Sequence, residues 1–261
     1  MKAAPFAYAR PTEWDAALRL LAEGARPAAG TQSLGPMLNF RLSQPETVAD
    51  LRHLPDYAGV TLADGAVRIG AGTTHAAIED GAVPGRLGAI MAAAARRIAY
   101  RAVRTRGTIG GSLAHADPAG DWVAILPALG GDAIAIGPLG ERRIPLACFV
   151  TGIFTTALAD DELLRAIELP ALPDDARWGH WKFCRKPGEF SKATACVLAL
   201  PGHPPRAVLA ALDAKPTVIE NAEALLAAPT QEAARIVAGL SLEPWRAAIA
   251  TTALCRAVAA L

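Results

Sequence analysis

Small and hydroxyl-bearing residues are concentrated in two segments of the chain. Segment A, residues 28–34, reads Ala-Ala-Gly-Thr-Gln-Ser-Leu, and segment B, residues 104–118, reads Arg-Thr-Arg-Gly-Thr-Ile-Gly-Gly-Ser-Leu-Ala-His-Ala-Asp-Pro. Where side chains are small, backbone N–H groups can converge on an anion, and Thr and Ser hydroxyls add donors. A diphosphate carries two negative charges and many acceptor oxygens, so it needs such a density of donors. The two segments therefore indicate a diphosphate site.

Structural interpretations of both segments stay open. Segment A also fits an ordinary connection from a strand to a helix, and segment B also fits a tight structural turn. Segment B contains neither the P-loop pattern GxxxxGK followed by Ser or Thr nor the GxGxxG pattern of a βαβ dinucleotide unit. As a nucleotide site, it would form one wall of a different kind of pocket.

The elements that must position these segments follow from local signals. Thr12 is expected to cap a helix that ends at Gly24, and Thr74 to cap another through Glu79. Asp64-Gly65 lies between alternating apolar residues and predicts a hairpin. Residues 105–118 are expected to be a loop. Further strands are expected at 26–29, 48–51, 163–169, 181–185, 195–200 and 207–212, and helices at 87–98, 122–129, 222–227, 231–239 and 245–261. Because strands and helices interleave without strict alternation, the class is α+β.

Composition excludes several classes of partner. The formal net charge is +1, which provides no general attraction for nucleic acid. No uncharged apolar run approaches the roughly 18 residues that a membrane-spanning helix needs. The four cysteines contain no CxxC pair, which argues against a zinc or iron–sulfur site on this chain and favours free thiols in the cytoplasm.

Segments A and B together resemble the FAD-binding subunit of the xanthine dehydrogenase and carbon monoxide dehydrogenase family. That family pairs an Ala-Gly-Gly-Thr-type loop with an Arg-Gly-Thr-Ile-Gly-Gly-Asn/Ser loop about eighty residues later. The second loop is followed by Ala-x-Ala-Asp/Ser-Pro-x-x-Asp, which is found here at residues 114–121. The similarity covers most of the chain, is most specific over residues 105–121, and weakens after Pro170. Ala29 departs from the pattern, since glycine is usual there.

The resemblance implies a vanillyl-alcohol-oxidase-type FAD-binding fold. It has two α/β subdomains that hold FAD, followed by a C-terminal three-stranded sheet with a helical bundle. The expected boundaries are 1–57 for the N-terminal FAD-binding subdomain, 58–172 for the second, and 173–261 for the C-terminal α/β domain. Pro170, Pro173 and Asp174-Asp175 mark the last boundary.

The resemblance also implies the residues that contact FAD. In this family both loops surround the diphosphate, which transfers to Ala29, Gly30, Thr31, Gln32, Ser33, Leu34, Thr108, Ile109, Gly110, Gly111 and Ser112. Asp117 and Asp121 match positions at the adenosine half of the cofactor. Leu164 and Lys182 match positions near the flavin. No catalytic residue and no metal ligand is assigned.

By the same resemblance, the chain is an electron-transfer subunit of a molybdenum-containing hydroxylase complex. It would take electrons from a small subunit with two 2Fe–2S clusters and pass them to NAD, dioxygen or a quinone. A large subunit with the molybdenum cofactor would oxidise the organic substrate. The sequence offers no convincing nucleophile or general base of its own, which agrees with this division of labour.

Other interpretations remain open beside this one. A stand-alone flavin reductase resembling the enolpyruvyl-glucosamine reductase expects Asn-Ala-Gly after the second loop, where Ala116-Asp117-Pro118 stands here. A flavin-free structural subunit is the third possibility. The five tryptophans are expected in the core or an interface rather than against a flavin. His115, Asp117 and Asp121 could imitate a metal site. Five arginines form either a solvated face or a docking or counter-charge surface: Arg96, Arg97, Arg101, Arg104 and Arg106.

Overall fold

The N-terminal part of the chain forms a small parallel sheet. A computed structural model describes residues 2–212 and 215–261, so that Met1, Asp213 and Ala214, which fall within the predicted domains, lie outside the described residues. The elements are β1 (Ala7–Ala9), α1 (Trp14–Ala22), β2 (Arg26–Ala28), α2 (Leu34–Asn39) and β3 (Thr47–Asp50). Their strand order is β1-β3-β2. The expected cap at Thr12 is wrong. The N-cap residue of α1 is Glu13, one residue later, and its side chain makes no capping hydrogen bond.

The middle of the chain forms an antiparallel sheet of five strands with the order β4-β5-β10-β6-β7. The hairpin predicted from Asp64-Gly65 is confirmed as its first two strands. The central strand, β10, is the last of the five along the chain. The elements are β4 (Val60–Ala63), β5 (Ala66–Gly70), α3 (His75–Glu79), α4 (Gly85–Ala95), α5 (Arg101–Arg104), α6 (Ile109–His115), α7 (Asp121–Leu129), β6 (Asp132–Gly137), β7 (Gly140–Pro145), α8 (Leu146–Phe149), β8 (Val150–Gly152), β9 (Thr155–Thr156) and β10 (Leu163–Pro170).

Segment B is not a continuous loop, because residues 109–115 form the helix α6. The Thr108 hydroxyl caps this helix by accepting from the Gly111 N–H, and Ala116 ends it in the left-handed conformation. Ile109 and Leu113, four residues apart, are both buried. The helix was missed because two glycines lower the helix propensity of the segment, while burial of its apolar face stabilises the helix in the folded chain.

The C-terminal part forms an antiparallel sheet with three helices on one face. The sheet has four strands in the order β11-β12-β13-β14 rather than the expected three. The additional edge strand pairs with β13, and its three residues, Thr217, Val218 and Ile219, are all β-branched. The elements are β11 (Arg177–Phe183), β12 (Ala193–Ala199), β13 (Arg206–Ala210), β14 (Thr217–Ile219), α9 (Glu223–Ala227), α10 (Pro229–Ala238) and α11 (Pro244–Ala259).

The helix α7 joins the middle and C-terminal parts of the molecule into one core. All nine of its residues are buried. It packs against β12 and β13, whose side chains alternate between two apolar clusters. Cys196 and Val208 belong to the cluster that contains α7, and Val197 and Leu209 belong to the cluster beneath the C-terminal helices. The mixture of helices with separate sheets confirms the α+β class.

Candidate cofactor site

Segments A and B meet through their backbones. A Cβ atom added to Gly30 would lie 1.8 Å from the Arg106 carbonyl oxygen and 2.8 Å from the Gly107 Cα. Only glycine allows so close an approach. Further along, a Cβ on Gly111 would lie 3.8 Å from the Cβ of Ala29. The two segments, far apart in the sequence, therefore face each other.

A third segment, residues 71–75, supports segment B from behind. Ile109 N donates to Thr73 O at 3.0 Å, and Gly110 N donates to Ala71 O at 2.9 Å. His75 N donates in turn to Gly107 O at 2.9 Å. The N–H groups of the first two residues of α6 thus donate to carbonyl groups of the protein and do not point to a ligand. The donors that segment B can offer a cofactor include the hydroxyls of Thr108 and Ser112.

Segment A has the opposite property. The backbone N–H groups of Thr31, Gln32, Ser33 and Leu34 have no acceptor within residues 2–212 and 215–261. Thr31 adopts a left-handed conformation with φ of 57°, as in the concave arrangements of successive N–H groups that bind anions. Segment A therefore fits a diphosphate by its backbone, as the sequence indicates.

Both segments line one cavity of about 580 Å³. This volume lies within the range of sites that hold small molecules and cofactors. The site residues expected from the sequence all line the cavity except Ile109, which is completely buried in the core beneath it. Further lining residues were not identified from the sequence, because they come from distant parts of the chain: Tyr57, His75, Ile98, Val103, Phe154, Thr155, Leu158, Glu162 and Phe190.

A buried ion pair lies in the cavity wall. Lys182 Nζ donates to both carboxylate oxygens of Asp121, at 2.9 and 3.0 Å, and both side chains are almost fully buried. Burial raises the pKa of Asp121, although the ammonium group of Lys182 opposes this shift. The sequence analysis placed Asp121 at the adenosine half and Lys182 near the flavin. Because the two side chains are in contact, they lie at the same part of the wall, and the contacts predicted for each with the cofactor stay predictions.

Asp117 lines the cavity but is partly committed to its own turn. Its Oδ1 accepts a hydrogen bond from Ala119 N at 2.9 Å. His115, also at the wall, packs its ring against Phe154 with a centroid separation of 5.0 Å. Burial lowers the pKa of His115. Within the described residues no group of three or more His, Cys, Asp or Glu could hold a metal ion.

His75 is a cavity residue that the sequence analysis identified only as part of a helix start. Its Nδ1 accepts a hydrogen bond from Trp122 Nε1 at 3.0 Å inside the core. Burial, together with the nearby Arg104 guanidinium, lowers the pKa of His75 to about 4. The imidazole is therefore neutral at physiological pH. No local pattern could have revealed it, because its partner lies 47 residues away.

Two members of the arginine cluster form ion pairs at the end of α3, one of them buried (Arg104) and the other exposed to solvent (Arg101). Arg104 is buried and forms a bidentate pair with Glu79, at 2.7 and 3.1 Å. Arg101 contacts the same Glu79 and also Asp80. These pairs connect α5, whose last residue is the first of segment B, to the end of α3. None of the five tryptophans lines the cavity; Trp14 and Trp122 are buried in the core as expected, whereas Trp245 is exposed.

The comparisons with known proteins agree with this geometry. The sequence matches a family model described as the FAD binding domain in molybdopterin dehydrogenase over residues 4–172. The chain belongs to this family. Its cofactor is FAD, and it is an oxidoreductase subunit of the type found in molybdenum hydroxylase complexes. No helix within the described residues is long and apolar enough to cross a membrane.

Relatives of similar length share both sequence and structure with this family member. The nicotine 6-hydroxylase medium subunit of Paenarthrobacter nicotinovorans is 36% identical over 200 residues, which cover 76% of this chain and 70% of that protein. The carbon monoxide dehydrogenase of Hydrogenophaga pseudoflava lacking the Mo-pyranopterin moiety contains a chain that superposes with a TM-score of 0.89 at 29% identity, covering 100% of this chain and 98% of that one. For quinoline 2-oxidoreductase from Pseudomonas putida 86 the TM-score is 0.85 at 27% identity, covering 99% and 97%.

Proposed function

We propose that this chain relays electrons within a three-component molybdenum hydroxylase complex. It takes electrons from a small subunit with two 2Fe–2S clusters and passes them to NAD, dioxygen or a quinone. A large subunit with the molybdenum cofactor oxidises the organic substrate. The names of the relatives support this proposal, since they include medium subunits or chains of nicotine 6-hydroxylase and carbon monoxide dehydrogenase and a subunit of caffeine dehydrogenase.

The observation that carries the proposal is the pairing of segments A and B around one cavity. We propose that the free N–H groups of residues 31–34 bind the diphosphate of FAD, with the hydroxyls of Thr108 and Ser112 on the opposite side. Ala29, Gly30, Gly110 and Gly111 shape this cleft, and Ile109 anchors it from the core. The remaining proposed contacts in the wall are Asp117, Asp121, Leu164 and Lys182.

For the relay, this chain need do little more than bind the flavin and shield it from solvent. Bound flavin accepts electrons singly from iron–sulfur clusters and can give two to a hydride acceptor. The cavity wall contributes a buried ammonium group at Lys182, compensated by Asp121, and a neutral imidazole at His75. Substrate oxidation is assigned to a partner, because the relatives are named as medium subunits or chains of hydroxylases and dehydrogenases.

The test is to purify the chain with and without the proteins encoded beside its gene. We expect a yellow chain with flavin absorption that copurifies with an iron–sulfur protein and a molybdenum protein. The organic substrate should bleach the flavin of the complex and leave the flavin of the isolated chain oxidised. A chain that oxidises NADPH at full rate alone would instead favour a stand-alone reductase, and a colourless chain that gains no flavin on reconstitution would favour a structural subunit.

We also propose three subdomains and a cytoplasmic location. The boundaries 1–57, 58–172 and 173–261 are supported by the separation of the three large sheets, whose strands lie within residues 7–50, 60–170 and 177–219. The location is supported by the four cysteines, which are all free thiols. Limited proteolysis near residues 57 and 172 would test the boundaries.

A further inference from the structure

The imidazole of His75 has one ring nitrogen in the core and the other at the cavity. Nδ1 accepts from the indole N–H of Trp122, so the proton of the neutral ring must reside on Nε2. Nε2 has no acceptor among the described residues. It is not sealed in the core either, since within residues 2–212 and 215–261 only His180 Nε2 is both buried and unpaired. His75 thus presents a single N–H donor to the cavity that it lines.

This donor lies beside the junction of segments A and B. A Cβ on Gly107 would lie 3.0 Å from His75 Nε2, and a Cβ on Gly30 would lie 2.8 Å from the Gly107 Cα. The ring is held by its hydrogen bond from the indole of Trp122, and the backbone of His75 is held by its N–H bond to Gly107 O and by the helix start at Thr74. A rotamer change that would satisfy Nε2 elsewhere would break the bond to Trp122. The donor is therefore preorganised toward the cavity.

We infer that His75 is an FAD-binding residue, whose Nε2–H donates a hydrogen bond to an acceptor oxygen of the cofactor. The inference rests on the proposed binding of FAD between segments A and B. Lys182, another nitrogen donor of the wall, is charged and already shared with Asp121. His75 instead offers an uncharged donor that adds no positive charge to the site. Its role is to fix the position of the cofactor, since a ring that stays neutral does not exchange protons with the flavin.

Three variants of the full chain separate cofactor binding from structural support. His75→Phe keeps a ring and removes both nitrogens, so we expect FAD to bind about three- to tenfold more weakly, as for the loss of one neutral hydrogen bond. His75→Gln supplies an amide oxygen for Trp122 and an amide N–H for the cavity, and should restore most of the affinity. Trp122→Phe breaks the same buried hydrogen bond but keeps the imidazole, so the ring can still donate although its tautomer is no longer fixed, and FAD binding should weaken by less than in His75→Phe.

Titration of the apo chain with FAD, followed by fluorescence quenching, gives the dissociation constants. An unchanged dissociation constant for His75→Phe overturns the inference, as does a loss in Trp122→Phe as large as that in His75→Phe. ADP and FMN, titrated in parallel, locate the acceptor: a loss with FMN alone places it on the flavin half, a loss with ADP alone on the adenosine half, and a loss with both on the diphosphate, part of which each ligand carries. Failure of the unsubstituted chain to bind FAD would instead overturn the proposed function.

A measurement on the unsubstituted chain tests the inference even if His75→Phe does not fold. The chain contains five histidines, so a long-range ¹H–¹⁵N spectrum of the side chains is simple to assign with the His75→Gln variant. We expect His75 to show the Nε2–H tautomer at pH 7, with an Nε2 resonance that shifts when FAD is added. An Nδ1–H tautomer, or an Nε2 resonance that FAD leaves unchanged, overturns the inference.

Discussion

At the scale of single residues, the two cofactor segments contribute different things. Segment A supplies backbone donors that have no acceptor in the described part of the chain, whereas segment B uses the N–H groups of Ile109 and Gly110 to hold residues 71–75. Their glycines also differ in purpose. Gly30 and Gly110 are needed because protein backbone lies against them, while Gly111 faces Ala29 across the cleft. A glycine-bearing sequence pattern therefore marks the cleft, but only the structure shows which glycines face the ligand.

A carboxylate at position 111 should abolish retention of FAD. Gly111→Asp places a negative charge beside the proposed diphosphate, and like charges about 4 Å apart near a protein surface repel by roughly 4 kcal/mol. We expect binding at least about a hundredfold weaker, measured by FAD titration. Gly111→Ala is the control, because any Cβ there lies 2.7 Å from the Thr108 hydroxyl and disturbs the cap equally. Equal affinities for the two variants would show that no phosphate lies near Gly111.

At the scale of elements, short-range signals predicted the fold where they were sufficient. Asp64 and Gly65 both adopt left-handed conformations and produce the predicted hairpin. The helix α7 was predicted from its continuous apolar run. The helix α6 was not, because its stability depends on burial of Ile109 and Leu113 and on support from residues 71–75. The role of His75 was missed for the same reason, since long-range contacts define it.

Replacement of Gly30 should separate the two segments. In Gly30→Ala the new methyl group would lie 1.8 Å from the Arg106 carbonyl oxygen, and the backbone must shift to accommodate it. We expect a loss of about 1–3 kcal/mol in the free energy of unfolding of the apo chain, typical of overpacking, together with weaker FAD binding. Urea denaturation measures the first quantity and FAD titration the second.

Gly35→Ala is the matched control for this change. Gly35 lies in α2, five residues further on, and a Cβ there meets nothing within 4 Å. This variant should be as stable as the original chain or more stable by up to about 1 kcal/mol. Equal stabilities of Gly30→Ala and Gly35→Ala would contradict the close contact between segments A and B.

At the scale of the whole molecule, burial makes the fold sensitive to acid. The pKa of His75 is lowered to about 4, by burial and by Arg104. Burial, with Arg97 and Lys182 nearby, lowers the pKa of His180 to about 3. Below pH 6.5 the unfolded chain binds protons at both rings that the folded chain does not bind. The contribution of the two histidines to the free energy of unfolding should therefore be fully present above about pH 6.5 and decrease as the pH falls toward 4.

The size of this effect can be measured by urea denaturation at pH 7.5 and pH 5. The shift at His75 from 6.5 to about 4 corresponds to roughly 3 kcal/mol when fully expressed, and to less than that at pH 5. His75→Gln removes one of the two groups, so its stability should depend less on pH over the same interval. A free energy of unfolding that is equal at pH 5 and pH 7.5 would contradict the prediction.

The position of β10 in the middle sheet has a consequence for how the chain is made. Two hairpins, β4-β5 and β6-β7, flank this strand, and both leave the ribosome before it does. Until residue 170 has emerged, each hairpin presents a strand edge with unpaired hydrogen-bonding groups, which is the kind of surface on which nascent polypeptides aggregate. Both edges are therefore open together while residues 146–170 emerge, and aggregation of the nascent chain is most favoured in that interval.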